Sequence, residues 1–503
     1  MKKIFIGFTN IASMITDYKM GFEALGLRAI TAVYQSSPIQ HTVVDYNFSE
    51  LIAKIDVAAS QETGHKDRNE PAKKLKRQIW ERSLRECDVF IFIWNSFLPD
   101  FSDYAELKKR GKKIVTFFVG NDIRWIPAME QEFAKYNLPK KDYDDSYRMV
   151  PLINKLNYLR TAEKYSDLIT SHPGMSQLAL RPYFSSGMPL WLRKFRENNN
   201  QRRIPKIIHA PSNRAIKGTK YVLDVFEALK REGLEFETEL IENLPNLEAI
   251  KKYEDADILV GQLFSTYGGR QELEALACGS IVLSGFRPDY AQDYINKNSQ
   301  YCQKLKEYPL VSVDPNSLYH ELKNIILDYP RRVEIAKKGR PYVEKYHDAT
   351  KLARRTLELL EQDHAEPDFY PTFFRNEFIP ESNDTAIYNH YNEMVKECNW
   401  YKSNVTPGER CGLIFPDPTL SVSTSTSPRK AGAPIKLLYL AFLYAAEKQI
   451  FSKIAQQFRV VKELNPDSNC YIIGTNSGKI PMERYGLNFI DLIETKDNPS
   501  RQD

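Results

Sequence analysis

The sequence predicts an α/β protein: two Rossmann-like, doubly wound domains facing a cleft, then a C-terminal linker and a partial α/β segment. Three observations carry this. Short apolar runs alternate with helical patterns from the start of the chain. The alternation halts in a basic, Asn-rich stretch and then begins again. At roughly 150 residues per domain, the 503 residues suggest about three folding units.

In the first domain, Lys3–Phe8, Cys87–Trp94, Lys113–Val119 and Asp167–Thr170 read as strands. They are apolar on both faces, as strands of a parallel sheet covered by helices are. Residues 71–86 have helical spacing, with Leu75, Ile79 and Leu84 near one face and six Lys and Arg over the rest. That basic face is either solvated or suited to an anionic membrane surface. Arg193–Pro205 has little to pack and reads as a domain linker. The pattern then resumes, with strands at Lys206–Ala210, Phe236–Ile241, Asp257–Val260, Ser280–Leu283 and Leu310–Val313. Helices are expected at Thr219–Glu232, Gln271–Cys278, 316–328 and 330–361. Beyond Pro367 the pattern weakens, and Asp417–Pro428 is a low-complexity Ser/Thr/Pro run. A β-α-β piece closes the chain, with strands Ile435–Leu440 and Cys470–Gly474 around a helix near 452–464. The expected division is 1–195, 204–340, a crossover helix 341–362, an irregular linker 366–434 and a partial segment 435–503.

Composition narrows the function. Hydrophobic residues make up 42% and charged residues 27%, so the chain can bury a large core. Lys and Arg number 70 against 65 Asp and Glu, a net +5. Over this length the excess is weak. It argues against a nucleic-acid partner and suits an anionic small molecule or a peripheral membrane contact. The six Cys contain no CxxC, and reduced thiols in a cytoplasmic protein fit best. No signal peptide opens the chain, and the longest apolar run, Leu437–Ala446, has ten residues where a membrane span needs about 20.

Two segments carry chemistry. His209–Thr219 is a strand-to-helix loop, where backbone N–H groups favour an anion, and Arg214 and Lys217 add charge. A solvated basic loop on a structural α/β unit would carry the same residues. Phe264–Gly279 places Gly268 and Gly269 before a helix, where backbone can approach a ligand, with Arg270 at the helix start. Glu272 and Glu274 are two apart and point to different faces, so only one reaches a cleft. An acid favourable in a first helical turn reads the same way.

Lys217–Gly218 and Glu274-Ala-Leu-Ala-Cys-Gly279, at this spacing, resemble the donor domain of retaining GT-B glycosyltransferases, family 4 in particular. The resemblance is strong over about 204–361 and weaker over 1–203. The segment from Ile435 is similar to the start of another such N-terminal domain. The resemblance implies a GT-B architecture and sugar transfer from a nucleoside diphosphate sugar to a saccharide, lipid-linked or protein acceptor. It implies that Arg214 and Lys217 hold the diphosphate, Glu274 the ribose, and Thr266, Tyr267, Gly268, Gly269 and Arg270 the phosphates and sugar. No cofactor or metal is expected, since bound cations can neutralise the leaving diphosphate. The chain departs from the family in two places: Ser212 stands where an Arg is usual, and Thr266 where an acid lies near the donor sugar.

In the first domain, Asn121, Asp122 and Arg124 follow a strand and are candidates for the cleft. A capped helix start explains the Asn and Asp equally. Asn10, with Thr9 and Ser13, and His172 are candidates of the same kind, though a lone His is commonly structural. Asp142/Asp144 and Asp255/Asp257 match Asp-x-Asp, a pattern too short to carry metal chemistry. Gly474–Lys479 falls one residue short of a P-loop. The expectation is a cytoplasmic, bacterial-type transferase of polysaccharide biosynthesis. A non-catalytic scaffold and a nucleotide-sugar epimerase are the alternatives.

Overall fold

The apolar runs of the first 170 residues have no polar face to show water, so they line up side by side between helices. The computed structural model describes residues 2–37, 39–51, 53, 69–138 and 152–369, without 125, 127–128, 130–132, 177, 180–181, 186, 199–200, 290–294 and 363–365, and then 436–440, 469–474 and 488–491. Strands β1 (Lys3–Phe8), β2 (Arg28–Val33), β3 (Tyr46–Asn47), β4 (Val89–Ile93), β5 (Lys113–Phe117) and β6 (Leu168–Thr170) form one parallel sheet in the order β3-β2-β1-β4-β5-β6. Helices α1 (Met14–Ala24), α2 (Asn69–Glu86), α3 (Asp103–Lys109) and α4 (Leu152–Tyr165) accompany it. One face is aromatic: Phe5, Phe90 and Phe92 cluster with Phe97, and Trp80 of α2 packs on Phe97 at 4.7 Å. β2 and β3 were not expected: the apolar run of β2 is interrupted by Thr31, and β3 is two residues long. β2 interleaves Thr31 among Ala and Ile, and buried Thr31 is satisfied by Asp45, whose carboxylate accepts from its amide and hydroxyl at 2.8 Å.

The second sheet holds β7 (Lys206–His209), β8 (Glu237–Leu240), β9 (Ile258–Val260), β10 (Ile281–Ser284) and β11 (Val311–Ser312) in the order β11-β10-β9-β7-β8. Its pairs are all parallel. Around it lie α5 (Arg214–Lys217), α6 (Thr219–Arg231), α7 (Asn246–Glu254), α8 (Arg270–Ala277), α9 (Gln300–Lys306), α10 (Leu318–Leu327) and α11 (Tyr329–Tyr346). Both orders are doubly wound, the first with its switch point between β1 and β4, the second between β7 and β9.

The stretch Arg193–Pro205 is not the loosely packed linker that its composition suggests. Lys194 is ion-paired to buried Asp17 of α1. Arg202 pairs with Asp255 and with buried Asp257. Fully buried Arg332 of α11 donates to the carbonyls of Arg202 and Arg203 at 2.7 and 2.9 Å. The charges that read as solvating are the ones that fasten the stretch down.

The return to the first domain begins later than residue 341. Helix α11 runs through Pro341 to Tyr346, and the chain turns at His347–Asp348. The Asp348 carboxylate then caps α12 (Ala349–Glu361) by accepting from the Lys351 amide. Leu352 and Ala353 complete the core formed by Ile4, Ile6, Ile15, Tyr18 and Phe22. Gly21 of α1 lies directly against the Ala349 backbone.

The C-terminal unit, Thr385–Asp503, is separate. It contains β12 (Lys436–Leu440), β13 (Asn469–Gly474) and β14 (Asn488–Asp491), a parallel sheet in that order. Two of these strands were expected. The helix near 452–464, the low-complexity run and the acid pair Asp142/Asp144 lie outside the described residues. Among the described residues no helix is long and apolar enough to cross a membrane.

Gly21→Ala is expected to destabilise the chain by about 1–3 kcal/mol, because a methyl group there would overlap the Ala349 carbonyl. Thermal melting with limited proteolysis between α11 and α12 checks this. An unchanged melt would mean that α12 is not pressed against α1.

Candidate functional site

In a doubly wound sheet the carboxyl ends of the strands at the switch point are where backbone opens toward a ligand. Here the loops after β5, β6, β7 and β9 line one cavity of about 350 Å³ between the two domains. From the first domain come Phe118, Val119, Arg124, Ser171 and His172. From the second come Ser212, Asn213, Lys217, Gln262, Thr266, Tyr267, Gly268, Gly269, Tyr301 and Lys304.

His209, the last residue of β7, anchors its loop. Its Nδ1 lies 2.7 Å from the Val260 carbonyl, so Nδ1 donates, and Nε2 accepts from the Thr219 hydroxyl at 2.9 Å. Burial pushes the imidazole down to about 4, with the charge of Lys217 adding to the shift and the Val260 carbonyl opposing it. The Asn213 side chain caps α5 by accepting from the Ile216 amide. Gly218 then turns the chain at φ 76°, where a Cβ would press on Leu263 and Phe264. This turn brings Lys217 to the cavity wall. The Leu263 amide donates to the Lys217 carbonyl at 3.2 Å, tying the β7 loop to the β9 loop.

The β9 loop is braced by Glu272. Its Oε1 accepts from the Gln262 amide at 3.0 Å and the Ser284 hydroxyl at 3.1 Å, and its Oε2 from the Gly269 amide at 2.9 Å. Burial raises its pKa, but Lys217 and these donors outweigh that and hold the carboxyl below its ordinary value. Glu272 is a brace under the loop, and its oxygens are spent. A side chain at Gly268 would collide with Tyr308 and Leu310, so glycine is required by packing.

Arg214 and Glu274 are not brought to the cavity. Arg214 is exposed and turned to Glu242 in a bidentate pair of 2.8 and 2.6 Å. Glu274 is buried and accepts from Arg270 Nε at 2.7 Å and from Asn246 at 3.2 Å. Arg270 continues to Asp17 of α1 and to the Pro189 carbonyl. These residues form a buried ionic chain, Lys194–Asp17–Arg270–Glu274, that joins the domains.

Three first-domain candidates are also occupied in shaping the chain. Asn10 Oδ1 accepts from the Ile15 amide, and its Nδ2 donates to Thr42 and His41. Asp122 closes the turn after β5 by accepting from the Gly120 and Val119 amides at 2.8 and 3.1 Å, and burial lifts its carboxyl to about 6. The carbonyl and Oδ1 of Asn121 accept from Lys155 Nζ at 2.9 and 3.0 Å. Arg124 and His172 do face the cavity. His172 Nδ1 accepts from the Gly174 amide at 3.1 Å, and the ring lies 4.8 Å from Tyr267. Burial, with Arg124 and Lys304 nearby, pushes this imidazole down to about 3. It is therefore neutral at physiological pH and carries its proton on Nε2.

Lys304 was missed. It sits in a short amphipathic helix with no motif around it, and only the fold carries α9 to the cavity. Burial, with Arg355 adding and Asp368 opposing, lowers its pKa to about 7. Among the described residues the side chains of Arg124, Lys217 and Lys304 have no hydrogen bond or ion pair, and no carboxylate lines the cavity. The arrangement presents hydrogen-bond donors and positive charge, which is what a polyanion needs.

No protein-family model matches the chain. No curated protein sequence matches it. Among solved structures, the chain is similar to an alpha-glucosyltransferase in complex with UDP-glucose and DNA, at 11% identity and a TM-score of 0.45, over 72% of this chain and 99% of that one. It is similar to the sucrose-phosphate synthase of Thermosynechococcus elongatus, at 11% and 0.45, over 71% and 98%. A third is S. aureus TarM in complex with Fondaparinux, alpha-GlcNAc-glycerol and UDP, at 10% and 0.44, over 72% and 100%. The two-domain α/β arrangement itself is given by the two sheets and their strand orders.

His209 stays neutral in the folded chain to about pH 4, whereas an unfolded His protonates near 6.5. Its contribution is complete above pH 6.5 and is lost as pH falls, by up to roughly 3 kcal/mol at pH 4. Urea unfolding at pH 7 and pH 4 should show a smaller acid loss in His209→Gln than in the parent. Equal losses would show that His209 titrates normally.

Proposed function

We propose that the chain is a GT-B glycosyltransferase that binds a nucleoside diphosphate sugar in the interdomain cavity and transfers the sugar to a saccharide, lipid-linked or protein acceptor. The observation that carries this reading is the cavity at the carboxyl ends of both sheets, with Arg124, Lys217 and Lys304 in its wall and no carboxylate among the described lining residues. Lys217, on a loop tied to the Gly268–Gly269 turn, is the group we assign to the diphosphate. In the transfer, the bond between the sugar C1 and the diphosphate oxygen breaks, and the acceptor oxygen bonds to C1. The acceptor proton passes to the leaving diphosphate. His172 does not take it, because its Nδ1 is engaged by Gly174 and its Nε2 already bears a proton. Charge growing on the diphosphate is met by the Lys217 ammonium. Retention of configuration and independence of metal belong to the same proposal, and rest on the resemblance of Glu274–Gly279 and Lys217–Gly218 to family 4. A place in polysaccharide synthesis at the cytoplasmic side of a membrane belongs to the proposal too, the membrane contact resting on the basic face of residues 73–85.

A second reading is a non-catalytic scaffold on the same fold. It is favoured by Ser212 and Thr266, and by Arg214 and Glu274 being engaged away from the cavity.

Calorimetry with UDP, GDP, ADP and CMP in EDTA tests the first reading. One nucleoside diphosphate is expected to bind without metal. Lys217→Ala should weaken it roughly tenfold or more, the loss of a charge-assisted contact, while Arg214→Ala leaves it unchanged. Binding by none of the four would put the scaffold first, and an epimerised sugar nucleotide as product would replace transfer by epimerisation.

A further inference from the structure

Among the described residues three cations line the cavity, and the diphosphate assigned to Lys217 leaves two, Arg124 and Lys304. Lys217 lies by Gln262, and its charge acts on Glu272 and His209. The other two cations come from different domains. Arg124 and Lys304 both act on His172, which stands against Tyr267. Three donors are offered there: the His172 Nε2–H, the Lys304 ammonium and the Arg124 guanidinium, whose buried Nε has no partner among the described residues. Asp368 is the acid whose charge reaches Lys304, and its Oδ2 already accepts from the Ser185 amide at 2.7 Å and from Arg355 at 3.1 Å. Lys304 also borders a second cavity of about 200 Å³ with Lys351 in its wall, where Lys345 is paired with Glu307 and Arg355 with Asp368. An ammonium removed from water beside the Arg355 guanidinium, with Asp368 already engaged, is unfavourable until an anion joins it.

We propose that the transferred sugar is itself acidic, and that its carboxylate or phosphate is received by Lys304, Arg124 and His172. The inference rests on the donor reading above and adds the class of sugar. Because all three cations line one cavity, the group that reaches Arg124 and Lys304 is part of the ligand held at Lys217. It is the sugar beyond the diphosphate. Lys304 then selects the sugar, while Lys217 selects the diphosphate.

The test is calorimetry on the full chain with the nucleoside diphosphate that binds, with its neutral hexose ester, and with the uronate of the same hexose (UDP-glucose against UDP-glucuronate for UDP). Glucose and glucose 6-phosphate are titrated separately into the diphosphate-saturated protein. The uronate, the 6-phosphate or both should bind at least about tenfold more tightly than the neutral partner, a difference of about 1.4 kcal/mol. The uronate arm identifies a carboxylate site and the phosphate arm a phosphate site. Lys304→Met should abolish the preference while leaving affinity for the bare diphosphate within about twofold, which also shows that the variant is folded. Lys351→Ala, in the neighbouring cavity, should leave the preference intact. Equal binding of acidic and neutral sugars overturns the proposal, as does a preference that survives Lys304→Met or disappears in Lys351→Ala. Failure of every nucleoside diphosphate to bind overturns the donor reading, and this inference with it.

Discussion

The buried ionic chain from Lys194 through Asp17 and Arg270 to Glu274 is the constraint on which the rest of the two-domain body depends. Asp17 belongs to α1 of the first domain, Arg270 and Glu274 to α8 of the second, and Lys194 to the segment between them. Each charge is nearly or wholly removed from water, so each is tolerable only while its neighbours stay in place. An ionic chain of this kind adds little net stability compared with apolar packing. What it supplies is a unique alignment, because sliding one domain past the other would leave several charges buried and unpaired. The cavity depends on that alignment, since its wall is drawn from both domains.

Much of the architecture was legible because its cause is local. The strands β1, β4, β5, β7, β9 and β10 are apolar runs that can only be buried, and β7 opens a domain after a clear break in pattern. β2 and β3 were not legible. β2 carries a polar residue at its centre and β3 has only two residues, and Thr31 is satisfied there by β1 and Asp45. The segment Arg193–Pro205 misled for a related reason. Composition reports charge but not partners, and the acids that pair with Lys194 and Arg202 lie far away in the sequence.

The site divides along the same line. Lys217, Thr266, Tyr267, Gly268 and Gly269 are set by turns that the sequence announces, and the structure brings all five into the lining of one cavity. Glu272 and Glu274 show where spacing stops. Their separation says that they face different ways, but not that one braces a loop and the other serves a domain contact. Lys304 could not have been read at all, because nothing in Gln300–Lys306 distinguishes it from an ordinary surface lysine. Its environment comes from Tyr301, Gly187 and His347, which only the folded chain assembles.

The closing helix has a consequence for how the protein is made. Leu352 and Ala353 sit in the hydrophobic core of the domain that begins at Lys3, on the same cluster as Ile4, Tyr18 and Phe22. A ribosome delivers that core's first residues long before its last. Until α12 emerges, the nascent first domain keeps an apolar flank of α1 exposed, and the second domain has been synthesised in the meantime. The fold is modular in space and not in time: the first domain to begin is the last to close.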